Sequence, residues 1–222
     1  SGLACSAQWP LCDNGLLPQT IPSFIEWFHR LVAMVTGGFI LGTAFWSWRR
    51  DGTEGRLTAT LAVVLLPLQI SIGAVTVTLN GLLPSGYSAP TQGAHLTVAF
   101  TIFSLLVWTT LSVRSETGSP LGRGRRALAV AFGAVIVSAF ASRVFAPIPY
   151  GPAAQAAFYG AGLVAVAALL AATRWVAASP VPHLRLVTAT ALATLFIGLF
   201  LGRDLVFYTQ TVRLVNAGAF LL

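Results

Sequence analysis

Six stretches of this chain carry no charged side chain: 31–48, 57–80, 95–113, 127–142, 153–173 and 186–202. Inside a bilayer no water is available to an open backbone, so an apolar run of about 17 to 25 residues is stable there only as a helix that satisfies its own hydrogen bonds. A mean hydropathy of +0.80, with 56% hydrophobic and 9% charged residues, excludes an ordinary soluble domain. The expected fold is therefore all-α, a polytopic transmembrane helical protein. A seventh apolar run begins near Thr211 and reaches Leu222, while the chain opens at Ser1 in a polar stretch. The expectation is a fragment without its first helix and without the end of its last, with about seven helices present.

A net charge of +7 raises the question of nucleic acid. The placement of the charges argues against it and for a membrane-lipid partner. All thirteen basic residues are arginines, and they cluster in alternate connections: Arg49, Arg50 and Arg56; Arg114, Arg123, Arg125 and Arg126; Arg174 and Arg185. The positive-inside rule makes those connections cytoplasmic. Residues 1–22, 80–94, 144–152 and 203–210 then lie outside the cell membrane, with both cysteines among them. Trp9, Trp46, Trp48 and Trp108 lie in the outer loop or near predicted helix ends, as interfacial residues do.

The polar segment 114–126 separates an N-terminal membrane half, 1–113, from a C-terminal half, 127–222. A faint repeat crosses it: "LQISIGAVTVTLN" has a counterpart in "LATLFIGLFLGRD", and "GAHLTVAF" in "RLVNAGAF". A chain this rich in Leu, Ala and Gly also produces such similarity by chance.

Ionisable groups within apolar spans are costly to bury, so each needs a partner or a task. Glu26 has two readings. Ser23 and Glu26 fit an S-x-x-E capping box; equally, Glu26 and His29 are three residues apart and share a helical face. If their helices start at Ser23 and near Thr91, His29 and His95 sit at matching depths, about 6 to 9 Å below the outer boundary at 1.5 Å rise per residue. Two imidazoles level on separate spans suit axial ligation of a heme iron; the alternative is that each bonds a helix backbone. Zinc would need further ligands at that depth. Arg30 either snorkels to headgroups or forks onto a heme propionate, and Arg143 and Arg203 are candidates for the same role. His183, after "SPVP", reads as solvated. Cys5 and Cys12, in "CSAQWPLC", read as a structural bridge in an oxidising compartment or as a redox-active dithiol.

Taken together, "SGLACSAQWPLCDNG", "IEWFHRLVA", "LLPLQISIGAVTV" and "GAHLTVAF" resemble the heme A synthase family over residues 1–113. The resemblance implies eight helices in two similar four-helix halves, and conversion of heme O to heme A by oxidising a porphyrin methyl to a formyl group. It implies that His29 and His95 hold the iron of the substrate heme O in the N-terminal half, that Glu26 is the carboxylate needed for chemistry, and that Cys5 and Cys12 are the outer cysteine pair. Heme O synthase upstream and the terminal oxidase downstream are the implied partners. In the second half the family's histidines bind a heme b. Here the nearest counterparts are Phe158 and Asn216, so that half is expected to be scaffold without heme b.

Overall fold

The computed structural model describes residues 11–50, 52–84, 88–113, 119–145, 147–177, 182–202 and 209–221. Among them are seven helices: α1 (Ile21–Trp48), α2 (Thr53–Leu82), α3 (Ala89–Val113), α4 (Pro120–Phe140), α5 (Pro152–Val176), α6 (Pro182–Leu201) and α7 (Gln210–Leu221). No strand occurs among the described residues. All but α4 and α7 are long and apolar enough to cross a membrane. The fold is that of a polytopic helical membrane protein. The chain divides into two compact units, Ser1–Val113 and Arg114–Leu222.

Helix starts are set by local chemistry. Thr20 caps α1, its hydroxyl oxygen accepting from the Ser23 amide at 3.3 Å, and Pro22 occupies the first turn, where a missing N–H costs nothing. Thr20 Oγ1 also donates to Ser23 Oγ at 2.9 Å. The expected capping box at Ser23 and Glu26 is therefore replaced: the cap lies one turn earlier, because Pro22 tolerates a helix already begun at Ile21. Ser119 caps α4 in the same way, ahead of Pro120. Residues 120–126, read from sequence as part of a polar connection, thus form the opening turns of α4.

In the first unit, α2 lies antiparallel to α3, and named contacts run the length of the pair. Trp108 Nε1 donates to Glu54 Oε1 at 2.8 Å, and the Thr58 and Thr109 hydroxyls meet at 2.7 Å. Gly55 lets Val113 approach, since a Cβ there would stand 3.0 Å from Val113 Cγ1. Midway, Ala62 is buried with Ile40 of α1 and Ile102 of α3. Pro67 sits inside α2 and removes one backbone donor. At the end of α1, guanidinium groups lie over aromatic rings: Arg49 on Phe45 at 4.5 Å, Arg50 on Trp46 at 4.1 Å and Arg56 on Trp48 at 5.8 Å. These pairs gather the charges and the exposed rings at one helix end.

In the second unit, α5 is the most buried helix and packs against α4 and α6. Leu199 of α6 fills the space above Gly162 of α5 so closely that a Cβ there would come within 2.3 Å of Leu199 Cδ2. Ser138 of α4 donates to the Phe158 carbonyl at 2.9 Å.

Candidate functional site

Ile40, Ala62 and Ile102 form a common layer from which the first unit's polar residues can be placed. Counting back along α1, His29 lies about three turns before Ile40, on nearly the same side of the helix. On α3, His95 lies two turns before Ile102, again on nearly the same side. Both imidazoles therefore stand on the sides of α1 and α3 that carry the shared layer, toward the same helix ends. At 1.5 Å per residue they are about 16 Å and about 10 Å from it. Measured instead from the helix starts, which fall two residues earlier than expected, His29 is about 12 Å and His95 about 9 Å along its helix. The two depths thus differ by about 3 to 6 Å.

The two histidines differ in surroundings. His29 is exposed and makes no hydrogen bond or ion pair among the described residues. His95 is partly buried against α2. Gln69 Nε2 lies 3.2 Å from His95 Nε2, and a Cβ on Gly73 would stand 3.0 Å from His95 Cε1 and 3.5 Å from Nδ1. Gln69 and Gly73 are four residues apart on one face of α2, so one supplies a hydrogen bond and the other supplies room. One of the two groups donates and the other accepts, and a neutral imidazole binds a metal through whichever ring nitrogen carries its lone pair. Gln69 Oε1 is buried without a hydrogen-bond partner among the described residues. The polar cradle is open on that side.

Glu26 and Arg30 form an ion pair one turn apart on α1, both partly buried. They lie on the stripe that continues through Gly37, whose missing Cβ faces Leu66 of α2 at 3.8 Å. The pair therefore belongs to the packing face, with His29 at its edge. In this conformation Arg30 is directed to a residue of its own helix. Arg143, in the second unit, lies over the Tyr150 ring at 5.6 Å. Arg203 lies outside the described residues. His183 is exposed in the first turn of α6 rather than in a connection.

The cysteine loop reaches the top of α1. Cys12 and Gly15 exchange backbone hydrogen bonds of 2.9 and 3.0 Å around Asp13 and Asn14, whose φ angles are 53° and 62°. Two successive positive φ values make a type I′ turn, in which Asp and Asn are tolerated. Asp13 then fastens the loop: its Oδ1 accepts from Ser23 Oγ at 3.0 Å and its Oδ2 from the Gln19 amide at 2.9 Å. Cys12 is fully buried, with its sulfur 3.8 Å from the Ser23 carbonyl oxygen. This places one cysteine a turn from Glu26. Cys5 lies outside the described residues.

In the second unit, Phe158 and Asn216 are both fully buried and converge on Gly202. A Cβ on Gly202 would stand 2.5 Å from Phe158 Cζ and 3.1 Å from Asn216 Nδ2. Tyr150, Tyr159 and Phe220 surround the Phe158 ring at centroid distances of 6.3, 4.9 and 6.3 Å. Gly198 faces Asn216 Oδ1 at 3.8 Å, much as Gly73 faces His95. The counterpart positions are thus filled by hydrocarbon and an amide.

A family model described as cytochrome oxidase assembly protein, COX15-CtaA, matches residues 18–144, more than half of the chain. The chain belongs to this family, that of the heme A synthases. It is 34% identical over 116 residues to the heme A synthase of Bacillus licheniformis, covering 51% of this chain and 36% of that protein. To the heme A synthase of Halalkalibacterium halodurans it is 31% identical over 125 residues, 54% of this chain and 39% of that protein. A protoheme IX farnesyltransferase of Halobacterium salinarum is 35% identical over 122 residues, 53% of this chain and 26% of its own length. The matched part of the chain thus spans little more than a third of these heme A synthases. No solved structure matches the chain.

The donor set of the first unit fits a heme substrate. Two imidazoles come from separate spans, one exposed and one seated against Gln69, and the glycine beneath the second would be filled by any Cβ. Gln69 and Gly73 stand inside the quoted "LPLQISIG" segment, but their task was not legible there. A glutamine four residues before a glycine, on a span facing a histidine-bearing span, is the signal that identifies such a cradle.

Proposed function

We propose that the first unit binds heme O between His29 and His95 and that this chain takes part in the heme A synthase reaction. That reaction turns a ring methyl into a formyl group. With one oxygen taken from water it releases four electrons and four protons, and an acceptor outside this chain receives the electrons. The observation that supports the reading is the Gln69 and Gly73 cradle, which seats the His95 ring against α2 with a polar partner and room for its edge. His95 Nε2 and a ring nitrogen of His29 would hold the heme, with Gln69 released from His95.

Glu26 is proposed as the carboxylate that carries released protons away, and its ion pair with Arg30 positions it on the packing face of α1. Arg30 is also the nearest cation for a propionate. Cys5 and Cys12 are proposed to be bridged in the outer loop. The second unit is proposed as scaffold without heme b, since Phe158 and Asn216 offer iron no imidazole. Heme O synthase and the terminal oxidase are the proposed partners, and the cell membrane, with the cysteine loop outside, the proposed location.

A second reading, a bis-histidine electron-transfer protein without chemistry on the porphyrin, is favoured by one fact. The ion pair already gives Glu26 a structural task. Glu26→Gln separates the two. Under the proposal the variant binds heme with an unchanged spectrum, and pigment extracted from cells contains heme O without heme A. Heme A at the native level in those cells removes Glu26 from the chemistry. Extraction of heme b alone from the native protein establishes the second reading.

A further inference from the structure

The loop 11–20 is drawn back beside α1 rather than held above it. Its Cys12–Gly15 turn stands against Ser23, the third residue of the helix: Cys12 Sγ is 3.8 Å from the Ser23 carbonyl oxygen, and Asp13 Oδ1 accepts from Ser23 Oγ at 3.0 Å. Asp13 Oδ2 accepts from the Gln19 amide at 2.9 Å, which closes the intervening chain into a short bight. On that bight Leu16 is 77% and Leu17 70% exposed, and Ile21, at the start of α1, is 78% exposed. A loop tied down in this way, yet showing two consecutive leucines, presents a surface built for an apolar partner. Depth names the partner. The 28 residues of α1 are about 42 Å long at 1.5 Å rise per residue, against a hydrocarbon core of about 30 Å and about 40 to 45 Å with the headgroup layers. A helix centred on that core extends about 6 Å into each headgroup layer, so Ser23, about 3 Å along α1, lies about 3 Å from hydrocarbon. Leu16 and Leu17 are one and two residues from the turn that touches Ser23, within reach of the same boundary at about 3.3 to 3.6 Å per residue.

We propose that the loop 11–20 is an interfacial anchor, with Leu16 and Leu17 inserted at the headgroup–acyl boundary of the bilayer beside the N-terminal end of α1. Two further observations favour lipid over a protein partner. The leucines continue an existing lipid-facing surface: Ile21, Phe24, Ile25 and Phe28 are all exposed and recur at helical spacing on one side of α1. The segment 11–22 contains no basic residue, and its one acid, Asp13, is engaged with Ser23 and Gln19. Insertion is therefore driven by apolar area and not by attraction to anionic headgroups. The anchor has a consequence for the first unit. Because the same bight carries the buried Cys12 against Ser23, insertion of the leucines fixes the depth of that cysteine at the top of α1. The proposal is independent of the reaction assigned to the first unit.

The test is hydroxyl-radical footprinting of the full chain in phosphatidylcholine nanodiscs holding one chain each, with mass spectrometry reading side-chain oxidation. A free peptide of residues 11–20 in water gives the unprotected rate for the same leucines. Burying a leucine favours the apolar phase by about tenfold or more, so Leu16 and Leu17 are expected to oxidise at least about tenfold more slowly than in the peptide. Leu16→Ser removes one of the two anchors and speeds oxidation of Leu17 by about tenfold. Leu16 is exposed, so its loss leaves the fold intact, which continued protection of the exposed mid-span Phe39 verifies. Protection in phosphatidylglycerol nanodiscs stays within about twofold of that in phosphatidylcholine, since no basic side chain takes part. Oxidation of both leucines at the peptide rate would overturn the proposal. So would protection that requires two chains per disc, which assigns the leucines to a second copy, protection confined to phosphatidylglycerol, or an unchanged Leu17 rate in Leu16→Ser.

Discussion

Replacing Gly73 with Ala separates the stability of the first unit from its capacity to hold heme. The new Cβ would stand 3.0 Å from His95 Cε1. Carbon atoms pack at about 3.5 to 4.0 Å, so the ring must retreat by about half an ångström or more. Its bond to Gln69, 3.2 Å long in the native protein, then stretches past the useful limit. A lost hydrogen bond costs about 0.5 to 1.5 kcal/mol. Alanine within a helix returns about 0.8 to 1 kcal/mol relative to glycine. The two nearly cancel, and the heme-free variant unfolds within about 1 kcal/mol of native. Heme binding has no such compensation, because a ligating ring must be held to about 0.5 Å of its productive position. Gly38→Ala on α1 is the control, since nothing lies within 4 Å of its new Cβ. It gains the same helix propensity and leaves binding alone. The assay is denaturant unfolding in detergent beside heme titration followed in the Soret band. Native affinity and spectrum in Gly73→Ala would refute the cradle; so would equal losses in Gly73→Ala and Gly38→Ala.

Two further outcomes follow from the second unit. Gly162→Ala puts a Cβ 2.3 Å from Leu199 Cδ2 at a buried contact, and overpacking of that kind costs about 1 to 3 kcal/mol; unfolding shows the loss while heme titration of the first unit stays at native affinity. A scaffold without heme b predicts one heme per chain at saturation, measured as pyridine hemochrome against protein concentration. Two hemes per chain would return a ligand role to the second unit.

Much of the fold was legible because hydrocarbon imposes a single solution on long apolar runs. Helix edges were less so. Reading α1 from Ser23 assigned the cap to the wrong hydroxyl, since Thr20 and Pro22 start the helix two residues earlier. The arginines of 123–126 looked like a polar connection, yet Ser119 and Pro120 had already begun α4. At the site, His29 and His95 stood out because an imidazole in an apolar run demands explanation. Gln69 did not, since its role depends on which side of α2 faces α3, and that is settled by the contact of Ala62 with Ile102, far apart in sequence. Glycine roles were hidden for the same reason: Gly73, Gly162 and Gly202 look alike in sequence and face an imidazole, a leucine and a phenylalanine.

The same device appears in both units with opposite outcomes. In each, glycine on or just after one helix admits a side chain from the helix that follows: His95 over Gly73, and Asn216 beside Gly198 and Gly202. In the first unit the admitted group is a titratable ring facing an open cradle with a spare amide oxygen. In the second, Phe158 fills the space, with the rings of Tyr150, Tyr159 and Phe220 packed around it. Converting Phe158 and Asn216 to histidine therefore cannot restore a heme site on its own. The aromatic cluster around Phe158 must be emptied as well, so a double histidine variant is expected to remain at one heme per chain in the hemochrome assay.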